Sequence, residues 1–294
     1  MNLNDLLVGK QIDPKDVIVI RHRPTEPQLL RAFPLLCADR PDLFNAYQQC
    51  QIPRLEKSMA EMVGSGYLAS FISHGAGRAI FIGLYKIDAA KPISFDEYWA
   101  VPGNIELRSL GMTGFKGDRP SVLWFDLTAQ DFFYPEWKGK LIVDWPPPER
   151  AWYRRALKNV MPVSAILGDS ALDGAMPEWN ELDLTWAQLR VLPAKWRNRL
   201  SEWRAIYYIF DASDGKGYVG SAYGSENLLQ RWLGYAATGH GGNHLLKTRD
   251  PQTFRFTILE RVSPDMDAES VIAREATWKK RLHTRSSDGG LNDN

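Results

Sequence analysis

The amino-acid sequence predicts an α+β protein of two domains: a strand-rich N-terminal domain, then a small mixed domain with a three-stranded antiparallel sheet flanked by helices. Three observations predict this. At 294 residues the chain exceeds one comfortable hydrophobic core. Runs rich in β-branched and aromatic residues dominate the first half, whereas the last third alternates strand and helix periods. A polar, Gly/Asp-rich stretch from Leu167 to Asp183 lies between them and reads as a linker. The expected division is residues 1–165 as a recognition domain, 166–200 as linker and connecting helices, and 201–294 as the C-terminal domain.

Composition narrows the classes of function. The formal net charge is +1, so the chain lacks the strongly basic balance of a general nucleic-acid coat, although a local basic face suffices for phosphate contacts. Cys37 and Cys50 are too few for a disulfide framework or a zinc knuckle. No apolar run approaches the ~20 residues that span a bilayer, and the polar start has no signal-peptide shape, so a cytoplasmic protein with no membrane partner is expected.

In the N-terminal domain, strands are expected over Val17 to Ile20, Tyr67 to Ser73, Ala79 to Ile87, Val122 to Leu127 and Lys140 to Trp145. One long helical stretch, from about Glu26 to Val63, separates the first two. Gly75-Ala76-Gly77 joins two strand-like runs and reads as a hairpin turn; a phosphate loop would need a following helix and a lysine. Arg21, His22 and Arg23 close the first strand, either as phosphate contacts or as a solvated strand end.

Toward the C-terminus, Leu184 to Trp203 reads as one or two short helices broken near Pro193. Two strands then flank the turn Asp211 to Lys216. In the first, Ile206, Tyr208 and Phe210 share one face and Ala205, Tyr207 and Ile209 the other, which frees Tyr207 from the stack that buries Tyr208. A third strand, Phe254 to Leu259, has the same period. A helix capped by Ser225 carries Leu228, Leu229, Trp232 and Leu233 on its apolar side, with Arg231 and Tyr235 one turn apart at its edge. In the last helix, Ala268, Val271, Ile272 and Leu282 define an inward stripe that contains Glu275. A carboxylate there requires a partner, either an arginine in an ion pair or a cation.

The pair Ala205-Ile206-Tyr207-Tyr208-Ile209 and Tyr218-Val219-Gly220-Ser221, followed by Arg231, Gly241-Gly242-Asn243, Glu275 and Gly290-Leu291-Asn292, resembles the signature of the GIY-YIG nucleases over the last third of the chain. Ala205 replaces the first glycine of that signature, and Ala is compatible with a strand. The wider run from Leu192-Pro193-Ala194-Lys195-Trp196 through Tyr223-Gly224-Ser225 to Trp278-Lys279 looks like variants of a bacterial subgroup. The resemblance implies a single-metal phosphodiesterase of DNA, with Mg²⁺ (Mn²⁺ as a substitute) on the lone carboxylate Glu275. It assigns Arg231 to transition-state charge, Tyr207 as general base, Tyr218 as its helper and Tyr235 to the site one turn from Arg231. A phenol titrates near 10, so a base role at neutrality needs nearby cations to lower it by about three units. Lys216, His240 and Asn243 are expected near substrate, and Asn292 ties the tail to the active-site side. His240 and His244 alone make a poor zinc site.

The strand-rich first domain faintly resembles PUA-like barrels, through Phe81-Ile82-Gly83-Leu84-Tyr85-Lys86-Ile87 and its aromatic richness. That likeness implies a target-reading role in which Trp124, Phe125, Phe133, Tyr134, Trp137 and Trp145 either line a base pocket or form core. The expectation is therefore a restriction-type DNA endonuclease, able to self-associate on DNA. The rival readings are a repair or branch-cutting nuclease, and a catalytically idle nucleic-acid-binding protein.

Overall fold

The computed structural model describes residues 1–172, 174, 176–223 and 227–293. The chain divides into two units, Met1–Gly174 and Ala175–Asn294, and is mixed α+β.

The first unit opens with α1 (Leu3–Gly9), whose Asn2 and Asp5 form a capping box. The helical stretch expected from about Glu26 to Val63 is three helices: α2 (Pro27–Asp39), α3 (Pro41–Gln48) and α4 (Pro53–Ala60). Each starts on a proline, which has the φ of a first helical residue and no N–H to continue a preceding helix. Strands β1 (Val17–His22), β2 (Tyr67–Ser73), β3 (Arg78–Ile93), β4 (Val122–Ala129), β5 (Leu141–Asp144), β6 (Tyr153–Arg155) and β7 (Val163–Ile166) form one sheet, ordered β6-β1-β2-β3-β5-β7 with β4 also on β3.

β1 runs parallel to β2 and is buried throughout, as a central strand covered on both faces must be. The Gly75 to Gly77 turn joins β2 and β3 in an antiparallel pair, with Gly75 at φ +67° and Gly77 at φ +63°. Short helices α5 (Phe95–Ala100) and α6 (Pro102–Ser109) follow β3. Phe125, Phe133, Trp124 and Trp145 are core. Tyr134 and Trp137 stack on each other at 4.2 Å, and both, partly buried, pack on the cluster that holds Phe133 and Trp145. The six aromatics are therefore packing, as expected where large rings meet inward-facing strand positions.

The second unit contains β8 (Asp183–Thr185), α7 (Trp186–Arg190), α8 (Ala194–Ser201), β9 (Arg204–Asp211), β10 (Lys216–Ala222), α9 (Leu228–Thr238), β11 (Phe254–Val262) and α10 (Ala268–Arg281). Its sheet has four strands, ordered β10-β9-β11-β8, and all pairs are antiparallel. The expected three-stranded sheet is corrected by β8, which lies inside the stretch read as linker and connecting helices. Three residues, of which Leu184 and Thr185 are buried, are too short to show a period. Thr185 then caps α7 through a box with Gln188.

Two layers of side chains flank this sheet. Tyr207 and Phe256 meet Trp232 of α9 on one face. Ile206, Val219 and Val262 cluster with Val271 of α10 on the other. β10 is an edge strand, so both faces open onto the same free edge.

Candidate active site

Tyr207 and Gly220 are direct partners in the β9–β10 register. A Cβ on Gly220 would lie 2.5 Å from Tyr207 Cζ, so the glycine vacates the space that the ring fills. Tyr207 is consequently 1% exposed while Tyr208 is only partly buried, the reverse of the burial read from strand alternation. Alternation separates the two faces correctly; it does not say which helix covers which face.

Three phenols converge on the α9 side of the sheet. The Tyr207 and Tyr235 hydroxyls are 3.2 Å apart, and Tyr218 shares a hydrogen bond with Tyr235 across rings 5.8 Å apart. Arg231, one turn before Tyr235 on α9 and half-buried, interacts electrostatically with all three. Burial pushes Tyr207, Tyr218 and Tyr235 above the ordinary phenol value, and the opposing pull of Arg231 does not offset it. The lowering that a base role for Tyr207 at neutrality requires is not supplied by the protein groups around it alone. In the free protein these side chains are neutral phenols, able to donate hydrogen bonds and to align a nucleophile.

Ser225, read as the α9 cap, lies outside the described residues together with Gly224 and Glu226. The described helix starts at Leu228, and Asn227 caps it by accepting the Gln230 N–H at 2.9 Å.

Glu275 reaches the same edge from the other face. Ser221 pairs with Ile206 in register, one residue past Gly220, so it projects toward α10 and donates a short hydrogen bond to Glu275 Oε2. Lys279, one turn along α10, places its ammonium 2.8 Å from Glu275 Oε1. The inward stripe is corrected accordingly. Val271, Glu275 and Lys279 follow one another at four-residue steps toward the sheet, whereas Ala268, Ile272 and Leu282 are exposed. Glu275 still acts electrostatically on Tyr207 and Tyr218 across the edge. Ser221 and Lys279 are the neighbours that residue types alone did not single out. The signal for Lys279 was its Glu275 partner four residues earlier; Ser221 had only its place after Gly220.

The remaining residues fall into two groups. His240 Nδ1 accepts the Gly242 N–H at 2.9 Å, and Asn243 Oδ1 accepts the Leu245 N–H at 2.8 Å, so both shape the loop after α9. Gly241, at φ +51°, lets this loop close over Tyr235, where a Cβ would lie 2.5 Å from the ring. Asn292 Oδ1 accepts the Val219 N–H at 2.9 Å and its Nδ2 donates to the Val219 carbonyl at 2.8 Å, which clips the tail onto β10. Asn243 Nδ2 adds a bond to the Leu291 carbonyl at 3.2 Å. His244 meets Asp293 at 2.7 Å.

Lys216 stands at the hairpin turn, on the face of Tyr218 and 3.9 Å from Asp214. There Arg249 joins Asp211 at 2.6 Å and Asp214 at 2.9 Å, and with Ser213 and Thr253 it fixes the turn.

Among the described residues no three His, Cys, Asp or Glu side chains group as a full metal cage. A single carboxylate at an open sheet edge fits a hard cation that keeps most of its own water, as Mg²⁺ does, and does not fit zinc.

No family model matches the chain and no curated protein matches it. Among solved structures, the catalytic domain of the homing endonuclease I-TevI is similar at 26% identity, over 31% of this chain and 98% of that chain, with a TM-score of 0.26.

Proposed function

We propose that the second unit hydrolyses phosphodiester bonds of DNA as a Mg²⁺-dependent endonuclease, Mn²⁺ substituting, and that the first unit reads the target in a restriction or defence role. The observation that carries the reading is the convergence of Tyr207, Tyr218, Tyr235 and Arg231 at one sheet edge with Glu275 across it. These residue types, in the order of the paired signature, suit charge stabilisation on a pentavalent phosphorus.

Glu275 would hold the cation, with Ser221 orienting the carboxylate and Lys279 balancing its charge. Bound there, Mg²⁺ would polarise a phosphate oxygen and stabilise the leaving oxygen. Arg231 pairs with the non-bridging oxygens as their charge grows. Tyr207 and Tyr218, neutral in the free protein, orient the attacking water; Tyr207 takes a proton from it only if bound cations overcome the burial that holds its phenol protonated. The loop over Tyr235 and the Asn292 clip keep the phenols in register.

The test is incubation of the full chain with plain duplex, modified phage DNA and branched DNA in Mg²⁺, Mn²⁺ or chelator. Metal-dependent cuts in duplex, concentrated on one DNA type, are expected. Cutting confined to branches would replace the defence role by repair. No cutting of any substrate would leave a binding protein with an idle site.

A further inference from the structure

The first unit holds a cavity of about 610 Å³ at the end of β1, where the chain reads Arg21-His22-Arg23. Sites for small organic ligands run at about 300 to 1,000 Å³. Arg21 and His22 are 6% and 4% exposed, so the strand end is not the solvated terminus that its polar residues suggest.

Each of these two side chains lacks a partner that its chemistry calls for. The Arg21 guanidinium lies over the Trp145 ring at 4.9 Å and donates a short hydrogen bond to the Glu149 carbonyl, yet among the described residues it makes no ion pair. His22 is wedged edge-on against Phe44 and Tyr47 with the Gln48 side chain beside it, and its buried Nε2 has no hydrogen-bond partner among the described residues. Burial pulls the imidazole down to about 3, so at neutral pH it is uncharged and presents one hydrogen-bonding nitrogen and not a cation.

The rest of the lining divides the same way. Arg23 and Lys116 add exposed cations at the mouth, while Tyr47, Phe115 and Trp152 supply aromatic wall. Of the two carboxylates in the lining, Glu26 is already engaged, accepting the Thr113 N–H at 2.9 Å and its hydroxyl at 2.6 Å, which leaves Asp118. A buried cation wants an anion, aromatic walls want a planar ring, and a lone neutral imidazole nitrogen wants a polar ring edge.

We propose that this cavity binds one nucleotide, with its phosphate at Arg21 and Arg23 and its base between Tyr47, Phe115 and Trp152, edge toward His22. The assignment deepens the reading of the first unit as the part that contacts DNA and rests on it. The nucleotide comes either from a DNA strand, displaced from its stack, or from the free pool; the chemistry of the site is the same.

The experiment uses the full chain in chelator, so that cleavage does not enter. The probes are free 5-iodo-dUMP and a duplex carrying one 5-iododeoxyuridine in a mismatch, each measured for affinity and for photocrosslinking. Crosslinks on Tyr47, Phe115 or Trp152 are expected, and Arg23→Ala and Trp152→Ala should each weaken the bound probe about tenfold while Trp152→Phe retains it, as for loss of one stacked base. Arg23 is exposed, so its variant remains informative if Trp152→Ala fails to fold. Crosslinking by the duplex alone identifies a displaced base, and crosslinking by 5-iodo-dUMP a free nucleotide; either supports the site. Binding of 5-iodo-dUMP without any duplex binding would keep the cavity assignment and sink the DNA-reading role. Duplex binding unchanged in Arg23→Ala and Trp152→Ala, with crosslinks only outside the cavity, would overturn the assignment and leave DNA binding standing.

Discussion

Gly220 faces Tyr207 across the β9–β10 pair, and the Cβ that glycine lacks would fall 2.5 Å from the Tyr207 ring. The glycine of the second signature strand is therefore the socket for the tyrosine of the first. Gly220→Ala should destabilise the second unit by about 1–3 kcal/mol, the usual effect of overpacking, and should cut activity by displacing the phenol. Denaturant unfolding and single-turnover cleavage check this. Wild-type values for both would mean the ring has room to move and the socket is not tight.

Tyr207 carries two roles that two substitutions separate. Tyr207→Phe keeps the ring against Trp232 and loses the bond to Tyr235, so stability should change by about 1 kcal/mol while turnover drops by orders of magnitude. Tyr207→Ala empties a buried site and should lose about 3–5 kcal/mol. A Phe variant that cuts at the wild-type rate would reduce Tyr207 to packing.

The pH dependence has opposite signs in the two units. Tyr207, Tyr218 and Tyr235 are raised by burial above the ordinary phenol value of about 10, so their contribution is complete below pH 10 and is lost as the pH climbs beyond it. His22 is lowered from 6.5 to about 3, so its contribution is complete above pH 6.5 and is lost as the pH falls toward 3. Melting curves of the wild type and of Tyr218→Phe at pH 9 to 11, and of His22→Phe at pH 7 to 4, should each show a shallower loss in the variant. Parallel curves would mean that these groups do not carry the dependence.

Asn292 satisfies both polar groups of Val219 in the edge strand. Asn292→Ala should leave a buried N–H and C=O unmet, at about 1–3 kcal/mol of stability, and should loosen β10 beside Tyr218. Faster amide exchange at Val219 with a lower melting temperature is the expected result. Unchanged exchange would show that the tail is dispensable.

Much of this arrangement was legible in the sequence, and the failures have physical causes. Alternation in β9 placed Tyr207 and Tyr208 on opposite faces, and the turn residues from Asp211 to Lys216 marked the hairpin. The burial of Tyr207 was not legible, because it depends on the space at Gly220 and on Trp232 of α9, both distant along the chain. In α10 the apolar residues Ile272 and Leu282 misled, since the helix turns its Val271, Glu275 and Lys279 row inward around a carboxylate–ammonium pair. β8 was too short to carry a signal. At the end of β1, charged residue types suggested a solvated end, whereas Arg21 and His22 are buried beside a cavity.

The central claim is tested most directly by Glu275→Gln, which keeps the side-chain shape and its acceptor for Ser221 but removes the charge that would hold Mg²⁺. Cleavage of duplex DNA by the full chain should be lost by several orders of magnitude in the variant, with the fold and DNA binding in chelator retained and the melting temperature lowered by loss of the Lys279 ion pair. Full Mg²⁺-dependent cleavage by purified Glu275→Gln would contradict the assignment.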